Sequence, residues 1–135
     1  MLLPELRTKL NALGISGVSS QIIFLGRQPA TPDSCITLFE TAGAGPQYEF
    51  GGSTPAWERP SLQVLVRGDV NDYETPRQMI ESIYQAFGNL GAFTQSGVRY
   101  QSIAPLQAPF QLTVDSSNRR NFVCNFLIEK GVSSS

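Results

Sequence analysis

The sequence predicts an α+β domain: one mostly antiparallel sheet of about five to six strands flanked by two main helices, in the order α-β-β-β-α-β-β-β. Three observations predict it. Apolar residues recur at helical spacing in two segments, at the start of the chain and again from Pro76 to Leu90. The shorter apolar runs between and after them are β-branched or alternate in polarity with period two. Gly and Pro, 12 and 9 in number, punctuate the joints between these runs. A length of 135 residues suits one domain over 1–135, with no internal repeat.

Each element has its own warrant. Leu3, Leu6, Leu10 and Leu13 form one stripe of a first helix, with Pro4 tolerable in its first turn and Gly14 as the stop. Gln21 to Leu25 reads as a short strand ending at Gly26. Pro29 and Pro32 mark the loop before a second strand, Ser34–Glu40, with Cys35, Thr37 and Phe39 on one face. Ser61–Gly68 is a third, with Leu62, Val64 and Val66 together. Asp72 or Thr75 can cap the second helix, whose broad face comprises Pro76, Ile80, Ile83, Tyr84, Phe87 and Leu90, and which Gly88 and Gly91 end. Val98–Ala104, Phe110–Asp115 and Arg120–Lys130 are the remaining strands, and Val132 to Ser135 a frayed tail. Leu3, Leu6, Leu10, Val64, Val66, Ile80, Ile83, Phe87, Phe122 and Phe126 are expected to share the core.

One segment departs from this economy. Residues 41–60 carry four Gly and three Pro between two strands, which reads as a long loop. It also holds Tyr48, Phe50, Trp57 and Arg59. Large aromatics on such a loop suit a contact ordered by a partner, although a long hairpin whose aromatics fold back on the sheet is the plainer alternative.

Composition excludes several functions. Apolar residues make up 41% and charged residues 16%, short of the roughly 25% usual in soluble domains, which fits a surface partly buried in an assembly. Ten basic against eleven acidic residues, with no basic cluster, argue against nucleic-acid binding. Without any histidine there is no Ser-His-Asp or Cys-His chemistry. No lysine activates a serine, so no catalytic residue is assigned and the chain is not expected to be an enzyme. Two cysteines alone supply too few ligands for a structural zinc, so neither metal nor cofactor is expected. Cys35 and Cys124 sit in apolar runs and read as buried thiols of a reducing compartment. Glu5, Arg7 and Lys9 interrupt the start where a signal peptide would be apolar, and no window reaches membrane-span length.

Smaller motifs have ordinary readings. Arg67-Gly68-Asp69 spells an adhesion tripeptide, yet it falls at a strand end and suits termination with a salt bridge. Asp69, Asn71, Asp72 and Glu74 lack the glycine and distal glutamate of a calcium loop and suit helix capping. Arg119-Arg120 falls in a turn and reads as a solvated or intersubunit charge pair.

Three stretches together resemble a known family. Pro32-Asp-Ser-Cys-Ile-Thr-Leu-Phe-Glu-Thr41, Glu58-Arg-Pro-Ser-Leu-Gln-Val-Leu-Val-Arg-Gly68 and Tyr73-Glu-Thr-Pro-Arg77, with the closing Asn121-Phe-Val-Cys-Asn-Phe-Leu-Ile128, look like the minor capsid and tail terminator (tail completion, neck) proteins of tailed bacteriophages. The resemblance spans nearly the whole chain. It implies a virion protein assembled in the host cytoplasm that forms a homo-oligomeric, hexameric ring. Such a ring caps the tail tube protein, stops its polymerisation and offers a docking face to the head connector. DNA would only pass through the lumen, without specific binding, and no membrane is involved. Partner or intersubunit contacts are expected at Tyr48, Phe50, Trp57, Arg59, Arg67, Asp69, Arg119 and Arg120. A head-completion protein of the same virion is the alternative, and a non-viral ligand-binding domain or enzyme a more distant one.

Overall fold

A computed structural model describes residues 2–48 and 55–131, with side chains omitted at 42–48, 55 and 56. Phe50 and the tail from Val132 to Ser135 lie outside the described residues. Helix α1 spans Leu2–Ala12 and α2 Glu74–Gly88, and a single 3-10 turn covers Ser20–Ile22. The strands are β1 (Ile23–Leu25), β2 (Cys35–Tyr48), β3 (Pro55–Val70), β4 (Phe93–Gln95), β5 (Val98–Pro105), β6 (Phe110–Val114) and β7 (Arg119–Gly131). The fold is α+β, with a curled, mostly antiparallel sheet flanked by the helices; only the β1–β2 pair is parallel.

The helices end where local chemistry ends them. Gly14 adopts a φ of 71°, open to glycine without strain, directly after α1. The Thr75 amide donates to Asp72 Oδ1 at 3.2 Å, so the aspartate caps α2.

Strand order is β1-β2-β3-β7-β5-β4, with β6 also on β7. Since β3 occupies one side of β7, β5 and β6 divide the other: β5 pairs with Phe126–Lys130 and β6 with Arg120–Val123. Cross-strand partners share a face. The rows Ile36–Val66–Phe122, Leu38–Val64–Cys124 and Leu62–Phe126 therefore point together toward the helices. Against them pack Leu6 and Leu10 of α1 and Ile80, Ile83 and Phe87 of α2, all 0% exposed. Phe87 meets Phe126 edge to face, with centroids 5.4 Å apart. Of the expected core, only Leu3 stays half-buried at its margin.

Of the two readings of 41–60, a loop or a long hairpin, the structure has the hairpin: β2 runs on to Tyr48 and β3 begins at Pro55. Gly43, Gly45 and Pro46 fall where the ladder is irregular. Register shifts occur between Thr41 and Ala44, Ala44 and Gln47, and Gln47 and Tyr48, the bulged positions at which strands accept such residues. Strand β4 was not expected. It is three residues long and joins β5 through Ser96 and Gly97, both at positive φ, a two-residue turn whose Ser-Gly pair is its sequence signal.

Candidate functional site

The expected contact residues other than Phe50 do not form one patch. Trp57 and Arg59 lie near the start of β3 and Arg67 and Asp69 near its end, about 33 Å apart at ~3.3 Å per residue. The hairpin gathers the first group. Trp57 pairs with Gln47 on one side and Gly131 on the other, Arg59 pairs with Ala44, and Tyr48 with Pro55. Tyr48 and Pro55 lie beyond the last β3–β7 pair among the described residues. Trp57 and Arg59 are half-buried.

A buried polar group braces the hairpin's base. Tyr100 is fully buried and its hydroxyl donates to Glu5 Oε1 at 2.7 Å, tying α1 to β5. Burial, then this hydrogen bond, pushes the Tyr100 hydroxyl's pKa up. Burial would raise the Glu5 carboxyl too, but hydrogen bonds, Tyr100's among them, and the charge of Lys130 hold it below the ordinary range. The ammonium of Lys130 lies 5.9 Å from the Tyr100 ring centroid and 4.0 Å from Glu58 of β3. Phe93 of β4 stacks on Tyr100 at 4.9 Å, under Lys9 of α1.

At the other end of β3, Arg67 turns inward. It is 3% exposed, and its Nε donates to Asp33 O at 2.9 Å and its Nη2 to Pro32 O at 2.8 Å and Ala30 O at 3.4 Å. Arg119 grips the same segment, through Ala30 O and the Asp33 carboxylate, while also pairing with Asp115 at 2.8 Å. Gln28 donates to buried Asn121 beside them. The fold thus engages Arg67 and Arg119 within the subunit, holding residues 28–33 against the sheet. Asp69 is exposed, and Arg120 sits 6.0 Å from the ring of Tyr73. Gly68, between Arg67 and Asp69, has a packing role: a β-carbon there would collide with Pro76 of α2.

The surface that the sequence reading missed is β6. Phe110, Leu112 and Val114 alternate with the polar Gln111 and Thr113, yet all three are 42–49% exposed. A register shift between Gln111 and Thr113 breaks the alternation. Leu106, Val70 and Tyr73 are likewise 48–57% exposed. The available signal was the absence of any charge between Arg99 and Asp115.

Among the described residues, no group of three or more Cys, Asp or Glu could hold a metal ion, and no helix is long and apolar enough to cross a membrane. An open cleft between Ser16–Gly17 and the first turns of α2 mixes Tyr73, Glu74, Arg77 and Glu81. What the surface offers is strand edges, a long hairpin and exposed apolar side chains, the equipment of a protein that assembles with other proteins. The family follows from comparison. A family model described as bacteriophage tail terminator protein matches residues 9–130, and the chain belongs to that family. Its role is therefore structural, in the phage tail, and the family implies a place in the virion among other virion proteins. A solved structure with a TM-score of 0.63 and 13% identity, covering 98% of this chain and 94% of that one, shares the fold. No curated protein matches.

Proposed function

We propose that this chain is a ring-forming terminator: a homohexamer that caps the last ring of the tail tube, stops further addition and offers its opposite face to the head connector. The family match over residues 9–130 is the observation that carries this reading. The mechanism is occlusion, one face reproducing the contacts of an incoming tube subunit while the other lacks them. Shortage of charge and the exposed apolar side chains support burial of much of the surface in such an assembly. The hairpin with Tyr48, Phe50, Trp57 and Arg59 is the contact to a neighbour or the tube, and Asp69 and Arg120 serve a contact at the other end of β3. DNA passes through the lumen without specific recognition, and the assembly needs no cofactor.

The test is electron microscopy of the purified chain, alone and added to polymerising tube protein. Sixfold rings, and tubes that stop growing with a ring at one end, are expected. A chain that stays monomeric and leaves tube growth unaltered would overturn the proposal.

A further inference from the structure

Among the described residues, two of the sheet's unpaired stretches lie on opposite sides. On one side, β1 covers β2 only at Ile36–Leu38, so among the described residues no strand pairs with the outer side of β2 from Phe39 onward. On the other side, β6 pairs only with β7, and among the described residues its outer backbone edge carries no strand. Exposed edges are templates for pairing, and free proteins blunt them with charge, proline within the strand or a cover. Strand β6 has none of these: Phe110, Leu112 and Val114 stand out in solvent and the strand is uncharged.

We infer that neighbouring copies of this chain join by strand addition, the β6 edge of one subunit pairing with the β2 edge of the next beyond Leu38. The inference rests on the ring reading and supplies its subunit contact. A second copy is the occupant because one chain carries both halves of the joint. Pairing β6 with a neighbour's β2 leaves one free β6 and one free β2 at the ends, so addition continues until the rotation between subunits closes the ring. Pairing β6 with β6 would instead stop at a dimer and leave both β2 edges bare. Backbone hydrogen bonds supply the joint's register, and Phe110 and Leu112 gain cover from the neighbour.

Cross-linking tests this in the full chain. Leu112→Cys and Thr41→Cys both place a thiol at an exposed position, whereas the native Cys35 and Cys124 are buried. Mixed together and treated with a short bis-maleimide, the two variants should give a cross-linked dimer that neither gives alone. Phe110→Lys with Leu112→Lys should keep the melting midpoint, since both side chains are exposed, yet abolish rings in sedimentation. A cross-link in Leu112→Cys alone shows β6–β6 pairing and overturns the inference. Wild-type rings without the mixed cross-link, or rings that survive the double lysine variant, overturn the edge contact while the ring reading stands. A wild-type chain that sediments as a monomer with or without tube protein overturns both.

Discussion

Replacing Arg67 separates a residue that holds the subunit together from one that meets a partner. In Arg67→Ala three carbonyl oxygens, of Asp33, Pro32 and Ala30, lose a charged donor. Hydrogen bonds to charged groups contribute about 1.5–3 kcal/mol each. The bonds at 2.9 and 2.8 Å count fully, and the one at 3.4 Å contributes little. Ala30, Pro32 and Asp33 are exposed residues, so water can replace part of the loss, and the expected destabilisation is about 2–4 kcal/mol. At roughly 3 °C per kcal/mol for a domain of this size, the melting midpoint should fall by about 6–12 °C. Circular dichroism reads the midpoint, and hydrogen exchange reads where protection is lost. Amides of residues 27–35 should exchange faster while the β3–β7 ladder stays protected. Arg67→Lys keeps the charge without the planar fork and should recover only part of the loss. An unchanged midpoint with intact protection, coupled to failure of assembly, would refute the reasoning and return Arg67 to an interface.

Other outcomes can be checked beside this one. Phe126→Ala removes a fully buried ring packed on Phe87 and should cost about 3–5 kcal/mol in chemical denaturation. Gly68→Ala must push Pro76 and the start of α2 off β3, so a lowered midpoint is expected, with the strain relieved when Pro76 is also made alanine. Because the Glu5 carboxyl titrates below its ordinary 4.5 when folded, its contribution is present above that pH and is lost as pH falls through the lowered value. The midpoint difference between wild type and Glu5→Gln should therefore be largest near neutrality and close in acid. Trp57 is the sole tryptophan, so its emission should shift to the blue on assembly, and Trp57→Ala should weaken assembly while sparing the fold.

What could be read from the sequence was what short-range pattern encodes. The spacing of Ile80, Ile83 and Phe87 announced α2 and its buried face, because helical periodicity is local and a core needs it. Strand β7 announced itself in the same way through Phe122, Cys124, Phe126 and Ile128. Partners distant in the chain left no such mark. Arg67 binds residues that precede it by 34 to 37 positions, and nothing in the Arg-Gly-Asp run predicts that inward turn. Over 41–60 the sequence leaves loop and hairpin both open, because glycine and proline discourage regular strands while bulged ones accommodate them. The residues of β6 alternate in polarity along the sequence, but that pattern shows neither the register shift that breaks it nor whether a neighbouring element exists to cover a face.

The two thiols carry a consequence for handling the protein. Cys124 lies in the row facing the helices, whereas Cys35 shares its row with Arg67 and Asn121 on the reverse of the sheet. The sheet itself separates their sulfurs, so a folded subunit cannot oxidise them to one another. Burial pushes the Cys124 thiol up to about 11 and raises that of Cys35, leaving both protonated and poorly reactive. Alkylating reagents can then reach either sulfur only when the subunit opens. The rate at which native subunits take up label becomes a direct clock for how often the fold breathes, alone and after it is locked into a particle.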